Sequence, residues 1–446
     1  MYPSAEIYGG TGSVWDFGPL GVELKNNIKR EWWRAMVQKR ADVIGIDSSI
    51  ITRREVLKAS GHEQGFVDPL VECKICHERF RADHPDTIAD HFTKIHKGKL
   101  PEGNITDARA FNLMFKTFMG PVADENSTAY LRPETAQGTF VNFKNLLESS
   151  RLKLPFGVAQ IGKSFRNEIT PGNFIYRTRE FEQMEMEYFV RPADAEKYYK
   201  EWVKARFEWY TNLGIKPENL RLRPHEEQEL AHYAAAATDV EYKFPFGWSE
   251  LEGIANRQDF DLQTHEKHSG KELKYFDEPT KEKFWPYVIE PAAGVDRAML
   301  AFLVDAYEEK HQASSTKSQT NSNNQISNEA NTGKERGEGE VVLRLHPKLA
   351  PIKAAVFPLV KKDKLPEIAR EIYNELTNYY MVQYDESGSV GRRYRRQDEI
   401  GTPWCITVDF DSLKDKTVTI RDRDTMQQER VKISSIKDFI DSHLEV

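Results

Sequence analysis

Cysteine is scarce in this chain: three residues in 446 leave no disulfide framework and suit a reducing cytosol. Long apolar runs are missing too. No stretch of about 18 apolar residues is present to span a bilayer, and no signal-peptide pattern opens the chain. Together these absences predict a cytoplasmic protein with no membrane partner. A basic excess is also lacking. The net charge of −7 provides no whole-molecule field for nucleic acid, so such contacts must come from local patches. At 446 residues the chain exceeds what one core accommodates, and two or three domains are expected.

What is concentrated is carboxylate, in the run from Gly162 to Val190, GKSFRNEITPGNFIYRTREFEQMEMEYFV. It reads as a strand ending in Phe165-Arg166-Asn167-Glu168, a polar loop with Pro171 and Gly172, and a return strand from Tyr176 to Val190. Glu180, Glu182, Glu185 and Glu187 place four carboxylates within eight residues, interleaved with Phe181, Met184, Met186, Tyr188 and Phe189. Strand alternation puts Phe181, Gln183, Glu185 and Glu187 on one face and Glu182, Met184 and Met186 on the other. Like charges so close repel, and a solvated edge strand is the plain reading. The large apolar neighbours argue instead for burial, and buried carboxylates need cations. Arg166, Arg177 and Arg179 are the local candidates; an ammonium-bearing substrate or a metal is the other kind.

Around this run the chain is legible in order. A Gly-rich entry (IYGGTG) precedes a helix from about Gly21 to Arg40, with Leu24, Ile28, Trp32 and Ala35 as its stripe. An apolar strand over 43–52 follows; helix plus strand suit a dimer element or ordinary packing equally. Cys73 and Cys76 are two residues apart, His91 and His96 four, with fourteen between the pairs. That is the spacing of a Cys2His2 zinc site, with both imidazoles on one helix and Phe80 and Ile88 as its small core. Four protein ligands leave no open position, so the role is structural. The alternatives are a free thiol pair beside surface histidines, or a nucleic-acid-reading finger, which Glu78, Asp83, Asp86 and Asp90 disfavour. Further on, a Pro-Glu-Thr turn presents Glu134 between Leu131 and Phe140, as if lining a pocket.

A helix over 195–213 carries the stripe Tyr198, Trp202, Ala205 and Trp209 and reads as core alone. Strands 240–245 and 248–256 join across Pro245 to Gly247, the second with Glu250 and Glu252. A strand over 287–290 leads to Gly294, which opens a helix with Arg297 in its first turn. A cation there opposes the helix dipole, at a cost of about 0.3–1 kcal/mol, unless an anion joins it. Residues 311–340 are low in complexity and expected to be a disordered linker. From Ile352, alternating strands and helices indicate an α/β domain with a mixed sheet: strand 352–360, helix 366–380, a strand near Val382, a basic turn GRRYRR, strands 404–410 and 417–421, and helix 434–443. The turn holds Arg392, Arg393, Arg395 and Arg396 around Tyr394.

The strand–Arg166-Asn167-Glu168–loop–strand unit resembles motif 2 of class II aminoacyl-tRNA synthetases, and Gly294-Val295-Asp296-Arg297 at the head of an apolar helix resembles motif 3. The words YGG…DFGPLGVELKNN, FNLMFKT, LRPETAQGTFVNFKN, QIGKSFRNEITPGNF, REFEQMEMEYF and RRQDEIGTPWCITVDFD narrow the resemblance to the dimeric glycyl-tRNA synthetases, over nearly the whole chain. Three departures stand out: Ala292 where the family often has serine, a start shorter than usual, and no motif 1 proline that can be placed.

The resemblance implies an α+β architecture. A catalytic domain over 1–310 is built on an antiparallel sheet flanked by helices, with an inserted zinc segment at 70–100. An α/β anticodon-binding domain with a mixed sheet occupies 341–446. It implies a homodimer that charges tRNA(Gly) with glycine, using ATP and Mg²⁺ beside the structural Zn²⁺. Catalysis falls to Arg166 on the α-phosphate, Glu168 on the adenine amino group, and Arg297 over one adenine face and toward the γ-phosphate, with Phe181 stacking on the other face. ATP contacts extend over Asn167, Tyr176, Arg177, Thr178, Arg179, Glu180, Leu251, Gly294, Val295 and Asp296, with Glu250 as Mg²⁺ ligand. For glycine the resemblance implies Arg81 on the carboxylate and Glu134, Glu185 and Glu290 on the ammonium, amid Phe181, Glu182, Gln183, Met184, Pro291, Ala292, Ala293 and Gly294. The zinc site then holds Arg81 over the active site. The basic turn contacts the tRNA backbone. The rival readings are a sister class II synthetase for Thr, Pro or His, and an inactive RNA- or DNA-binding paralogue. The acidic strand and the RPETAQG run favour glycine over the first; Arg166, Glu168, Glu250 and Arg297 together argue against the second.

Overall fold

The computed structural model describes residues 1–98, 103–231, 233–310 and 340–445, so the linker expected over 311–340 lies outside the described residues up to 339. The chain divides into two compact units, Met1–Val304 and Asp305–Val446. In the first, helix α1 (Pro19–Trp33) starts on a proline at its first turn. It ends earlier than the stripe suggests, because Arg34–Gln38 widens into a π turn. That turn buries Met36 where Ala35 was expected. The strand expected over 43–52 is two pieces. Strand β1 (Val43–Gly45) joins the main sheet, while Ile51–Arg53 joins a small sheet with Thr128–Leu131 and Lys116–Phe118. The break falls at Ser48, whose N–H and hydroxyl both donate to Gln160 Oε1, at 2.9 and 2.8 Å.

The inserted segment is wider than the cysteine and histidine spacing implies. It holds β2 (Val67–Glu72), β3 (Arg79–Arg81), helix α2 (Pro85–Lys94) and β4 (Arg109–Asn112), in the sheet order β3-β2-β4. Val71, Cys73, Phe80, Ile88 and Phe92 form its core. Past Glu134 comes the short helix α3 (Ala136–Val141).

The main sheet then builds from β5 (Phe156–Phe165), β6 (Glu180–Val190), β7 (Leu220–Pro224), β8 (Ala236–Phe244), β9 (Gly247–Gln258) and β10 (Tyr287–Gly294). Interleaved with them are helices α4 (Ala195–Asn212), α5 (Phe260–Ser269) and α6 (Val295–Ala306). Its seven strands run in the order β7-β8-β9-β10-β6-β5-β1, antiparallel except for β5 against β1. The acidic strand β6 is therefore central, not an edge. Its pairing with β5 runs unbroken from Phe156↔Phe189 to Phe165↔Glu180, which preserves the two-residue alternation. The return strand begins at Glu180, not Tyr176, because reciprocal backbone bonds between Gly172 and Arg177 (3.1 and 3.2 Å) keep the preceding residues in the loop.

On the hairpin β8–β9 the register slips: Val240 pairs with Glu252 but Glu241 with Glu250, leaving Leu251 as the inserted residue. Glu250 and Glu252, two positions apart, thereby leave the sheet on opposite sides. Glu252 meets Arg206 of α4 in a two-point ion pair of 2.6 and 3.1 Å, both side chains almost fully buried. The α4 stripe is thus more than apolar core: Ala205 is exposed, and Arg206 is buried beside Trp202 and Trp209.

The second unit centres on β11 (Ala354–Pro358), α7 (Leu365–Leu376), β12 (Val382–Tyr384), α8 (Val390–Ile400), β13 (Trp404–Val408), β14 (Thr417–Asp422), β15 (Gln428–Lys432) and α9 (Ile436–Glu445). The sheet order is β12-β11-β13-β14-β15, with β11 parallel to both neighbours and the last two pairs antiparallel, a mixed sheet as expected. Two details differ from expectation. Strand β15 is polar enough (QERVK) to carry no apolar signal. The basic stretch 391–396 is not a turn but the first half of α8, capped by the Ser389 hydroxyl on the Arg392 N–H.

Candidate active site

One cavity of about 340 Å³ opens on the face of the main sheet that carries Phe181, Gln183 and Glu185. Its walls come from β6, β9, β10, the loop between β5 and β6, the Pro-Glu-Thr turn and the head of α6. At one end lie carboxylates. Glu185 accepts from the Thr135 hydroxyl and, at 3.4 Å, from the Gln183 amide. Burial and the nearby Glu134 push Glu185 up to about 7, although Thr135 and Arg257 pull the other way. Glu134 also suffers from burial, but His62 at 3.4 Å, Arg257 and the Gln137 amide at 2.9 Å outweigh it and hold that carboxyl well below the usual range. Glu290 accepts from Arg257 Nη1 at 2.7 Å; burial with Glu185 and Glu134 nearby still raises it.

The cation that the acidic strand requires is not one of the local arginines. Arg257 is fully buried on β9, clamps Asp261 at 2.8 and 2.9 Å, reaches Glu290, and lies 4.0 Å from the Tyr233 ring centre. Its sequence signal was a single arginine at the end of a strand, four residues before an aspartate, on an element well separated along the chain from the one where the carboxylates cluster. Two further carboxylates of β6, Glu182 and Glu180, pair on the far face and at its start. Glu182 meets Lys25 (3.0 Å) and Lys29 (3.1 Å), and Glu180 meets Lys163 (2.8 Å).

At the other end of the cavity lie cations and an aromatic. Arg166 sits 5.3 Å over the Phe181 ring, with its Nε donating to the Pro133 carbonyl at 3.0 Å. Glu168 faces Arg177 at 3.6 Å. Arg297 donates from Nε to the Tyr176 carbonyl (3.1 Å), lies 4.5 Å over that ring, and pairs through Nη1 with Glu250 Oε1 at 3.1 Å. Glu250 is thus the anion that offsets a cation at the head of α6. Arg297 in turn outweighs burial and holds Glu250 below its ordinary value. His225 and Asp239, joined at 2.8 Å, also line this region and were not singled out from sequence.

Thr178, Ala292, Ala293, Gly294 and Asp296 complete the expected lining. Other expected contacts lie elsewhere. Met184, Leu251 and Val295 are buried in the core, and Pro291 is buried without lining the cavity. Asn167 is engaged through its backbone N–H with Leu113, and Arg179 with the carbonyls of Gly12 and Glu168. Arg81 stays outside the cavity, its guanidinium held by Asp68 at 2.7 Å and Asp83 at 2.7 and 3.1 Å.

In the inserted segment Cys73, Cys76, His91 and His96 converge, one donor atom from each lying within 4.8 Å of the others. Cys73 Sγ is 3.5 Å from His96 Nε2, Cys76 Sγ 3.3 Å from His91 Nε2, and the two Nε2 atoms are 3.1 Å apart. Tetrahedral zinc would separate sulfur from nitrogen by about 3.5 Å, so the donor set fits. Glu78, 3.1 Å from His91 Nδ1, fixes the tautomer that frees Nε2. His96 sits just past the end of α2 rather than within it.

In the second unit the four arginines part company. Arg393 is buried and donates to the carbonyls of Pro358 (2.6 Å) and Gly388 (3.2 Å), a structural post and not a surface contact. Arg392, Arg395 and Arg396 are exposed, the last two paired with Glu340 and Asp385, each at 2.5 Å.

Residues 115–307 match the family described as tRNA synthetase class II core domain (G, H, P, S and T), and residues 353–443 match the anticodon binding domain. A glycine–tRNA ligase of Thermobifida fusca is 52% identical over 461 residues, covering 100% of this chain and 95% of the relative. One from Bifidobacterium longum is 54% identical, covering 99% and 89%. One from Caldanaerobacter subterraneus subsp. tengcongensis is 52% identical, covering 100% and 95%. With a two-ended cavity on a class II core and full-length likeness of this degree, the chain belongs to the family of glycine–tRNA ligases.

Proposed function

We propose that the chain activates glycine with ATP and transfers it to the 3′ end of tRNA(Gly). The observation that carries this reading is the polarity of one cavity: buried Glu185 and Glu290 with half-buried Glu134 at one end, Arg166, Arg297 and Phe181 at the other. An ammonium suits the first end and a nucleotide triphosphate the second. Glycine lies with its carboxylate toward Arg166. The carboxylate oxygen attacks the α-phosphorus, a C–O–P bond forms, and the α–β bridging bond breaks with its electron pair leaving on pyrophosphate. The terminal ribose hydroxyl of the tRNA then attacks the activated carbonyl, and AMP leaves. The protein's share is positioning and charge neutralisation. Phe181 offers the stacking surface for adenine, Glu168 accepts from its amino group, and Arg166 and Arg297 meet the phosphates.

Glu250, held ionised by Arg297, would hold Mg²⁺, which when bound neutralises the phosphate oxygens. The four converging donors of the inserted segment would hold a structural Zn²⁺. The homodimer and the cytoplasmic location belong to the same reading and rest on the family resemblance and the absence of a long apolar run. Glycine is the smallest amino acid, so a site that closes around its Cα beside Ala292 and Ala293 would reject larger amino acids by overpacking, at about 1–3 kcal/mol each. ATP–pyrophosphate exchange measured with glycine, alanine, serine, threonine and proline tests the reading. Stimulation by glycine alone is expected; stimulation by threonine or proline instead would overturn it.

A further inference from the structure

Behind the carboxylate end of the cavity stands a residue that the proposed chemistry leaves unused. Glu187 follows Glu185 by two positions on the same face of β6, between the ladder pairs Glu185↔Ala292 and Tyr188↔Ile289 that bind β6 to β10. Its side chain is 1% exposed. Neither carboxyl oxygen meets a hydrogen-bond donor among the described residues. Carboxyl oxygens of Glu185, Glu187 and Glu290 lie within 4.8 Å of one another. Charged or titratable groups face this cluster from several elements, Arg132 after Thr128–Leu131 and Tyr233 before β8 among them. Arg257 comes from β9, Asp261 from α5, Glu134 from the turn before α3, with His62 beside it, and Arg166 from the loop after β5. Arg257 is already divided between Asp261 and Glu290. Arg132, also buried, acts on Glu185 as well, yet Arg132, Arg166 and Arg257 stand against the five carboxyls of Glu134, Glu185, Glu187, Asp261 and Glu290, and an unsolvated, unpartnered carboxylate is the one most costly to ionise.

We propose that Glu187 is a positioning residue that retains a proton within the Glu185–Glu187–Glu290 cluster, and that the ammonium of the amino-acid substrate displaces that proton to solvent. The inference rests on the glycine reading above. A protonated Glu187 can donate its O–H to a neighbouring carboxylate, which satisfies both buried groups and lowers the net charge of the cluster by one. The arriving ammonium supplies a positive charge in its place, so charge is conserved in the cavity and one proton leaves. Burial and repulsion from Glu290 and Glu185 support this by raising the Glu187 carboxyl well above its usual range. Because the proton competes with the substrate, the KM for glycine falls as pH rises through the titration of the cluster, and levels off above it.

The test is calorimetry of glycine binding to the full-length protein at neutral pH, in phosphate and in Tris, whose ionisation heats differ widely. The wild type is expected to release close to one proton per site, and Glu187→Gln to bind glycine with that release lost and with a flattened pH profile of the glycine KM. Equal proton release by both proteins, or a buffer-independent heat in the wild type, overturns the proposal. Should the variant fail to fold, infrared difference spectra of the wild type decide. Loss of a protonated-carboxyl band on adding glycine is expected; no loss overturns the proposal. Binding with no proton release sinks this inference alone. Absence of glycine binding together with absence of glycine-dependent pyrophosphate exchange sinks the functional reading with it.

Discussion

Glu185 and Glu182 stand three residues apart on one strand and do unrelated work. The first enters the cavity, and the second pairs with two lysines of α1 on the far face. Strand alternation predicted that division, although the resemblance assigned both to the substrate. It could not show which cation balances the cavity-facing acids, because Arg257 arrives from a strand two ladders away in sheet order. Arg81 marks a similar limit. A motif match places a residue in a list, whereas its two aspartate partners place it outside the cavity. At this scale the sharp prediction is Glu185→Gln. Losing a hydrogen bond to a charged group costs about 1.5–3 kcal/mol, so the KM for glycine should rise roughly 10- to 100-fold with that for ATP little changed. Pyrophosphate exchange at varied glycine and varied ATP measures both.

Among the elements, the hairpin β8–β9 and the inserted segment carry the most information. Alternation read directly from SELEGIANR puts Glu250 and Glu252 on one face, and the inserted Leu251 undoes this. One carboxylate becomes the partner of Arg297, the other the buried partner of Arg206. A bulge is set by pairing with the neighbouring strand, so no local pattern announces it. The inserted segment is the opposite case: ligand spacing predicted its convergence, since two knuckle cysteines and two histidines near one helix end have few other uses. On the proposed reading its folding depends on metal, because a structural zinc held there would contribute on the order of 10 kcal/mol to a segment whose apolar core is five residues. Treating the protein with a chelator, or substituting Cys76→Ser, is expected to release one zinc per chain and to open residues 67–112 to limited proteolysis. Metal analysis with mass spectrometry of the fragments checks both. A raised glycine KM after stripping would tie the segment to the cavity; an unchanged KM would separate them.

For the whole molecule, two units divide the labour that the proposed reaction needs. The cavity lies wholly within Met1–Val304, and the exposed arginines of α8 within Asp305–Val446. Arg392→Glu with Arg395→Glu should therefore weaken tRNA(Gly) binding by an order of magnitude or more at moderate salt, while ATP–pyrophosphate exchange stays intact. Filter binding and exchange on the same preparation separate the two effects. Arg393 is excluded from this pair because its buried guanidinium holds carbonyls of the domain core. By itself the sequence determined the mixed sheet of the second unit, the elements on either side of Arg166 and Arg297, the convergence of Cys73, Cys76, His91 and His96, and the face of β6 that lines the cavity. These depend on short-range periodicity and on fixed ligand spacing. Only the tertiary structure decided that β6 is central, that Glu250 and Glu252 part, that Arg257 serves the acids, and that Glu187 is buried without a donor among the described residues. Each of those depends on which distant strand lies alongside, and pairing across a sheet is fixed by the assembled core and not by neighbours in the chain.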